Sequence, residues 1–280
     1  MKIGMNMLLW TDHVTEDHFK IIDDLKLTGY DGIEISLGRG DVKHYTMLGD
    51  HLKALGMGLT AVTALDADRN IASSQKSIRA AGLGRIKWAI ERAHAAGADL
   101  IGGPFHSAFA HITRRPPTDD ERKWSAENLH QAAEYAEQAD IFLVPEALNR
   151  FECYLCNTMT DLRKLVEAVD HPNLMAMYDS HHAHIEEKSQ AAAITTINPY
   201  LRHVHISEND RGTPGRGQVH WGEVFTSLNA LDYEHWLTIE AFSTVVPDFA
   251  NAINVWRDFS PADEIYREGL DFIKQQWNEA

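Results

Sequence analysis

Short apolar segments recur along the chain, and a stretch long enough for a helix follows each one. In order they are Lys2 to Met7, Gly32 to Ser36, Gly58 to Ala64, Leu100 to Gly103, Ile141 to Glu146, Leu174 to Asp179, His203 to Ser207 and Trp236 to Glu240. Apolar runs of this length, bounded by turn residues, read as strands. Amphipathic patterns predict helices over Asp17 to Leu27, Ile86 to Ala96, Asp119 to Gln138 and Thr160 to Val169, with one more over Pro261 to Asn278 covering the outer wall. Thr118-Asp119-Asp120-Glu121 and Thr160-Asp161 offer N-cap side chains, and Gly29, Gly56 and Gly97 fall where helices should stop. Strand-helix alternation builds a parallel sheet with helices outside it. Eight such units in 280 residues favour a closed (β/α)8 TIM barrel, of the α/β class, over an open doubly wound sheet. No low-complexity linker interrupts the pattern, so residues 1–280 read as a single domain.

Composition narrows the partners. With 44% hydrophobic and 24% charged residues the chain suits a globular protein with a large core. Its net charge of -15 and its lack of a basic stripe argue against nucleic acid. The basic clusters Arg114-Arg115 and Arg211 to Arg216 suffice for one small anion at most. The opening MKIGMNMLLW runs directly into polar residues without a small-residue cleavage site, which reads as a first strand rather than a signal peptide. No apolar run approaches the roughly 20 residues of a membrane span, and only two cysteines are present. The expected compartment is the cytoplasm.

In such barrels chemistry sits at the carboxyl ends of the strands. Four consecutive strands end in metal-ligand types: Glu146, Asp179, His205 and Glu240, spaced by 33, 26 and 35 residues, the length of one strand-helix unit each time. A single acid at a strand end is most often a helix cap or a solvated loop residue, but four in successive units are not so easily dismissed. Three carboxylates and an imidazole converging on one mouth repel one another unless a cation intervenes. The oxygen-rich set suits one divalent ion, Mn2+ in first place, with Mg2+ or Co2+ as alternatives. A metal on two adjacent oxygens of an α-hydroxy ketone polarises the carbonyl and acidifies the neighbouring C–H. Glu146 and Glu240, approaching from opposed directions, then suit removal of a proton from one face and its return to the other, which is epimerisation.

At these residues the sequence resembles the ketose 3-epimerases, the D-tagatose and D-psicose group of the sugar isomerase and epimerase, xylose isomerase-like TIM barrel superfamily. The matching stretches are Glu146-Ala147-Leu148-Asn149-Arg150-Phe151-Glu152, Asp179-Ser180-His181-His182 through Ile185-Glu186-Glu187, His203 through Gly212, and Ile239-Glu240-Ala241-Phe242. The resemblance implies Glu146, Asp179, His205 and Glu240 as metal ligands, Glu146 and Glu240 as the acid/base pair, and Glu152, His182 and Arg211 as groups gripping the sugar. It also implies a sugar substrate and a homodimer or homotetramer. The pattern departs at His181, where the family tends to have an aromatic residue, and at His184. Neither Gly102 to Ser107, which contains His106, nor His111 to Thr118 matches a known specificity.

Other features are set aside on physical grounds. Cys153-x-x-Cys156 lies in a loop beyond Glu146 rather than at the helix start of a thioredoxin-like unit. His181, His182 and His184 form a candidate second metal cluster, disfavoured by the acidic surface. Gly212 to Gly217 lacks the ending of a P-loop and reads as a flexible active-site loop carrying Arg211 and Arg216, which leaves a phosphorylated substrate open. Trp10 is a candidate apolar wall at the barrel mouth. The same metal and carboxylates also suit a keto-sugar dehydratase or lyase, or an aldose-ketose isomerase of the hydroxypyruvate type. A non-catalytic sugar-binding barrel is the alternative outside enzymes, against which the acid/base pair argues.

Overall fold

The structure, a computed structural model, describes residues 1–280. Its strands are β1 (Lys2–Asn6), β2 (Gly32–Ser36), β3 (Gly58–Val62), β4 (Leu100–Gly103), β5 (Phe142–Pro145), β6 (Ala176–Asp179), β7 (Leu201–Ile206) and β8 (Trp236–Ile239). Each predicted segment holds one of them, except that β7 begins two residues ahead of the predicted His203. Neighbours pair in parallel in the order β5-β4-β3-β2-β1-β8-β7-β6. The seam between β5 and β6 is joined by bridges at Leu143–Leu174 and Glu146–Met177, which makes a nearly closed (β/α)8 barrel. Pro145 has no N–H to give to a ladder, and β5 ends on it.

The bottom of the barrel is plugged by Trp236. A Cβ on Gly32 or Gly58 would stand 2.5 or 2.7 Å from its ring, so the start of β2 and β3 must be glycine for the indole to lie across the axis. Trp236 Nε1 leaves the plug to donate to Asp99 at 3.0 Å.

Ten helices surround the strands: α1 (Phe19–Thr28), α2 (Val42–Leu55), α3 (Lys76–Ala96), α4 (Asp119–Glu137), α5 (Met159–Val169), α6 (Ser180–Glu186), α7 (Gln190–Ile197), α8 (Trp221–Ala230), α9 (Pro247–Ala252) and α10 (Ala262–Glu279). Gly29, Gly56 and Gly97 cap α1, α2 and α3 in the left-handed conformation, as their positions predict. The predicted helix 86–96 is only the second half of α3, because the first ten residues carry no apolar stripe. Gly82 alone is buried there, and a Cβ on it would strike the Arg69 carbonyl. The cap of α5 is Thr158 rather than Thr160: its Oγ1 accepts from Asp161 N at 3.1 Å, the N-cap to N3 spacing. As expected, α10 turns Ile265, Tyr266, Leu270 and Ile273 inward against the wall. No helix is long and apolar enough to cross a membrane.

At the start of α4, Thr118 and Glu121 form a full capping box, and Arg115 grips the same Glu121 with its two terminal guanidinium nitrogens at 2.8 and 2.9 Å. Arg115 is thus committed to fastening the loop 111–118 and is not free for an anion. Its hydrogen bonds bring the Glu121 carboxyl from its ordinary 4.5 down to about 2. A carboxyl lowered on folding contributes stability above its unfolded value, lost as pH falls toward the folded one. Glu121→Gln is therefore expected to lower the melting temperature at pH 7, with the difference from the parent shrinking as pH falls from 4.5 toward 2. Thermal denaturation across that range measures it.

Candidate functional site

The carboxyl ends of β5 to β8 bring the four predicted side chains together. Glu146 and Glu240 are the first residues past β5 and β8, Asp179 closes β6, and His205 lies one residue before the end of β7. Each offers one donor atom, and these lie within 4.8 Å of one another. His205 Nδ1 stands 3.3 Å from Glu240 Oε1, 3.5 Å from Asp179 Oδ2 and 3.9 Å from Glu146 Oε1.

In Asp179, Glu240 and His205 the protein fixes one atom and leaves another facing the centre. Asp179 Oδ1 accepts from His182 N at 2.9 Å and so caps α6. Glu240 Oε2 accepts from Arg211 at 2.8 Å, and His205 Nε2 meets Glu34 Oε1 at 2.8 Å. The atoms left over include Glu146 Oε1, Asp179 Oδ2 and His205 Nδ1, all buried without a hydrogen-bond partner. Buried polar atoms in folded proteins are nearly always paired. Three unpaired ones converging on a point fit a divalent cation, and the mainly carboxylate donor set fits a hard or borderline ion. The electrostatics agree: burial raises the Glu146 carboxyl well above the carboxylate range, and Glu240 reinforces the effect. Positive charge at the centre relieves both.

The three residues expected to hold a sugar line the same cavity, of about 260 Å3, close to the lower end of small-molecule sites at roughly 300 Å3. His182 Nδ1 accepts from the Asn149 backbone N–H at 3.1 Å and from Asn149 Nδ2 at 2.9 Å. His182 Nε2 in turn lies 3.1 Å from the Arg211 guanidinium, a donor, and 3.8 Å from Glu146 Oε1. Burial pushes the His182 pKa well below its ordinary value, which keeps that ring neutral. Glu152 accepts from Asn149 Nδ2 at 2.8 Å, so one asparagine positions both. Arg211, buried and in the left-handed region at φ 66°, also donates to Ser207 Oγ at 2.9 Å. Leu8, Val62, Leu148, Phe242, Phe249 and Ile253 form the apolar side.

Several expectations are corrected. Trp10 is not part of the wall: it packs on Tyr266, with ring centroids 5.9 Å apart, away from the cavity. The 212–217 loop is fastened rather than flexible, because the buried Glu208 carboxylate collects Gly215 N, Val219 N and Trp221 Nε1 at 2.9 to 3.0 Å. Arg216 leaves the site to pair with Glu268 at the surface. The histidine trio does not assemble, since His184 turns toward His220 and His181 Nδ1 toward the Glu208 carbonyl at 3.2 Å. Glu152, His181 and His182 do approach within 4.8 Å. A second cation there would meet the Arg211 guanidinium, 3.1 Å from His182 Nε2. His106 holds the Glu146 carbonyl at 2.9 Å and does not reach the centre with its side chain. Cys153 and Cys156 are both free and buried.

Sequence reasoning missed Glu34 and Asn6. The signal was present: Gly32-Ile33-Glu34-Ile35-Ser36 places a charged residue in the middle of an otherwise apolar strand, and His203 and His205 fall on one face of β7.

A sequence model of the xylose isomerase-like TIM barrel matches residues 22–276, and the chain belongs to that family. Within it the chain is similar to ketose 3-epimerases. It is 32% identical to a D-psicose 3-epimerase of Ruminiclostridium cellulolyticum, covering 94% of this chain and 92% of that one. It is 29% identical to a probable ketose 3-epimerase of Synechocystis, covering 99% and 97%. The crystal structure of a Methylomonas D-allulose 3-epimerase in complex with D-allulose superposes with a TM-score of 0.92 at 28% identity, covering 99% of this chain and 97% of the other. The kinship is with enzymes, and with the isomerase class.

A ligand that binds only the folded state stabilises it by mass action, by about 2.7 kcal/mol at one hundred times its Kd. Adding a divalent cation to chelator-treated protein is therefore expected to raise the melting temperature by several degrees, and Asp179→Ala should abolish the rise. Differential scanning fluorimetry with and without chelator tests this.

Proposed function

We propose that the chain is a metal-dependent ketose 3-epimerase acting on a free ketose, with residues 1–280 working as one catalytic unit. The observation that carries it is the pair of acids, Glu146 and Glu240, reaching one centre from strands three places apart around the barrel. Glu146, Asp179, His205 and Glu240 are assigned as the ligands, with Mn2+ the first choice of ion over Mg2+ or Co2+. When bound, the cation supplies polarisation of the substrate carbonyl, which acidifies the adjacent C–H. Glu146 and Glu240 then act as base and acid on opposite faces of that carbon, inverting it. His182 and Arg211 grip substrate oxygens, and Glu152 accepts from hydroxyls. The apolar wall keeps water from quenching the deprotonated carbon.

The sugars named for the relatives, D-psicose and D-allulose, are the first candidates. The lack of a membrane-spanning helix and the two free cysteines support a cytoplasmic location. The exposed Phe151 and Trp256 rings, 72% and 71% accessible, support a homodimer or homotetramer.

Incubation of chelator-stripped and Mn2+-loaded protein with a panel of free ketoses in D2O should give deuterium at C3 together with the C3 epimer, only with metal. Exchange without inversion would replace the epimerase with a lyase or isomerase. No exchange in any free ketose would send the search to phosphorylated or 3-keto sugars. Glu146→Gln and Glu240→Gln are each expected to lower kcat by at least about 100-fold, measured by the same epimer ratio.

A further inference from the structure

Beneath the candidate metal centre lies a carboxylate that the proposed reaction does not use. Glu34, at the middle of β2, is wholly buried. Strand register sets Asn6 and Thr60 beside it, on β1 and β3. Its Oε1 accepts from Asn6 Nδ2 at 2.9 Å and from His205 Nε2 at 2.8 Å. Its Oε2 accepts from Thr60 Oγ1 at 2.9 Å and lies 2.8 Å from His203 Nε2. Burying an ionised carboxylate costs several kcal/mol before its partners offset it. An apolar group would fill the same layer of the barrel without that cost.

Three features give the carboxylate a task. An ionised carboxylate only accepts hydrogen bonds, so His205 must present Nε2–H to Glu34. That choice leaves the Nδ1 lone pair as the ring's free donor, and Nδ1 is the atom aimed at Glu146, Asp179 and Glu240. Asn6 Nδ2 touches Glu34 and also reaches Glu240 Oε1 at 3.5 Å, so one network touches two of the four candidate ligands. Glu34, His203 and His205 are close enough to suggest a second ion site. His205 Nε2 is already spent on its hydrogen bond to Glu34 Oε1 at 2.8 Å, however, and is not free to ligate an ion there.

We infer that Glu34 is the positioning residue of the metal centre: it fixes the tautomer and aim of His205 and thereby sets the affinity for the divalent cation, without touching the sugar. The inference rests on the metal-centre reading. Outer carboxylates on metal-bound histidines typically account for a factor of about 10–100 in affinity.

The test is titration calorimetry of chelator-stripped protein with Mn2+. Glu34→Gln is expected to bind Mn2+ about 10–100-fold more weakly than the parent. Its kcat should largely recover at saturating Mn2+, with KM for the ketose little changed. Glu34→Asp keeps the charge but withdraws it from His205; it should show the same affinity loss, and it serves if the glutamine variant does not fold. Thr60→Val removes a contact on the oxygen facing away from His205 and should lower the melting temperature while leaving the Mn2+ Kd unchanged. A folded Glu34→Gln or Glu34→Asp protein with the parent's Kd would overturn the inference while leaving the metal centre intact. A parent protein that binds none of Mn2+, Mg2+ and Co2+ would overturn the metal centre itself, and the inference with it.

Discussion

Concentrated negative charge at the mouth of the barrel organises the rest of the molecule. Three carboxylates and one imidazole place donor atoms within 4.8 Å of one another in a site nearly closed to water. Carboxylates at that range repel strongly in a low-dielectric setting, and burial penalises each charge further. The surroundings answer this with cations and with fixed hydrogen bonds. Arg211 lies within 3.5 Å of both Asp179 and Glu240. Asp179, Glu240 and His205 are each tied down through one atom, and what remains is a set of unpaired atoms suited to a cation.

Holding Arg211 there has a cost in backbone conformation. A non-glycine residue in the left-handed region persists only where its surroundings over-determine it, at a cost of about 1–3 kcal/mol. Here the Arg211 carbonyl is held by Phe242 N at 3.0 Å and its N–H by the Glu208 carbonyl at 3.0 Å. Glu208 in turn gathers the following loop through its carboxylate. The loop that carries the guanidinium is thus anchored from below, and the charge stays aimed at the carboxylates. The apolar part of the cavity is built from the carboxyl ends of β1, β3 and β8 and from α9, with the Phe242 ring 4.9 Å from the Arg211 guanidinium. The polar groups present charge and hydrogen bonds to oxygen atoms, and the apolar ones exclude water, which strengthens the electrostatic interactions beside them.

Much of this was legible in the chain. The eight strands stood out because a parallel barrel buries both faces of each strand, which leaves near-continuous apolar runs. The four candidate ligands stood out because such a strand has no reason to end in an acid or histidine at each of four successive units. Glu152, His182 and Arg211 came from resemblance, and all three line the cavity. The failures share a cause. Trp10 lies just past β1, but the chain turns it toward Tyr266. The glycine-rich run 212–217 looked mobile because no local pattern reveals that a glutamate four residues earlier will bind its amides. The first half of α3 was silent because the one residue it buries fully is a glycine.

The sequence by itself determined which residue types end each strand, where the helices stop and how far apart the chemistry-bearing groups fall, because these depend on local propensity and the regular length of a strand-helix unit. Only the tertiary structure decided which atom of each group faces the centre. The oxygen that Asp179 spends on α6 is a local cap, three residues along, whereas that His205 turns Nδ1 inward and that Glu34 lies beneath it follow from strand register and barrel closure. These are contacts between residues as many as 171 positions apart along the chain. No local pattern encodes them, since the energy that fixes them exists only once the barrel has closed.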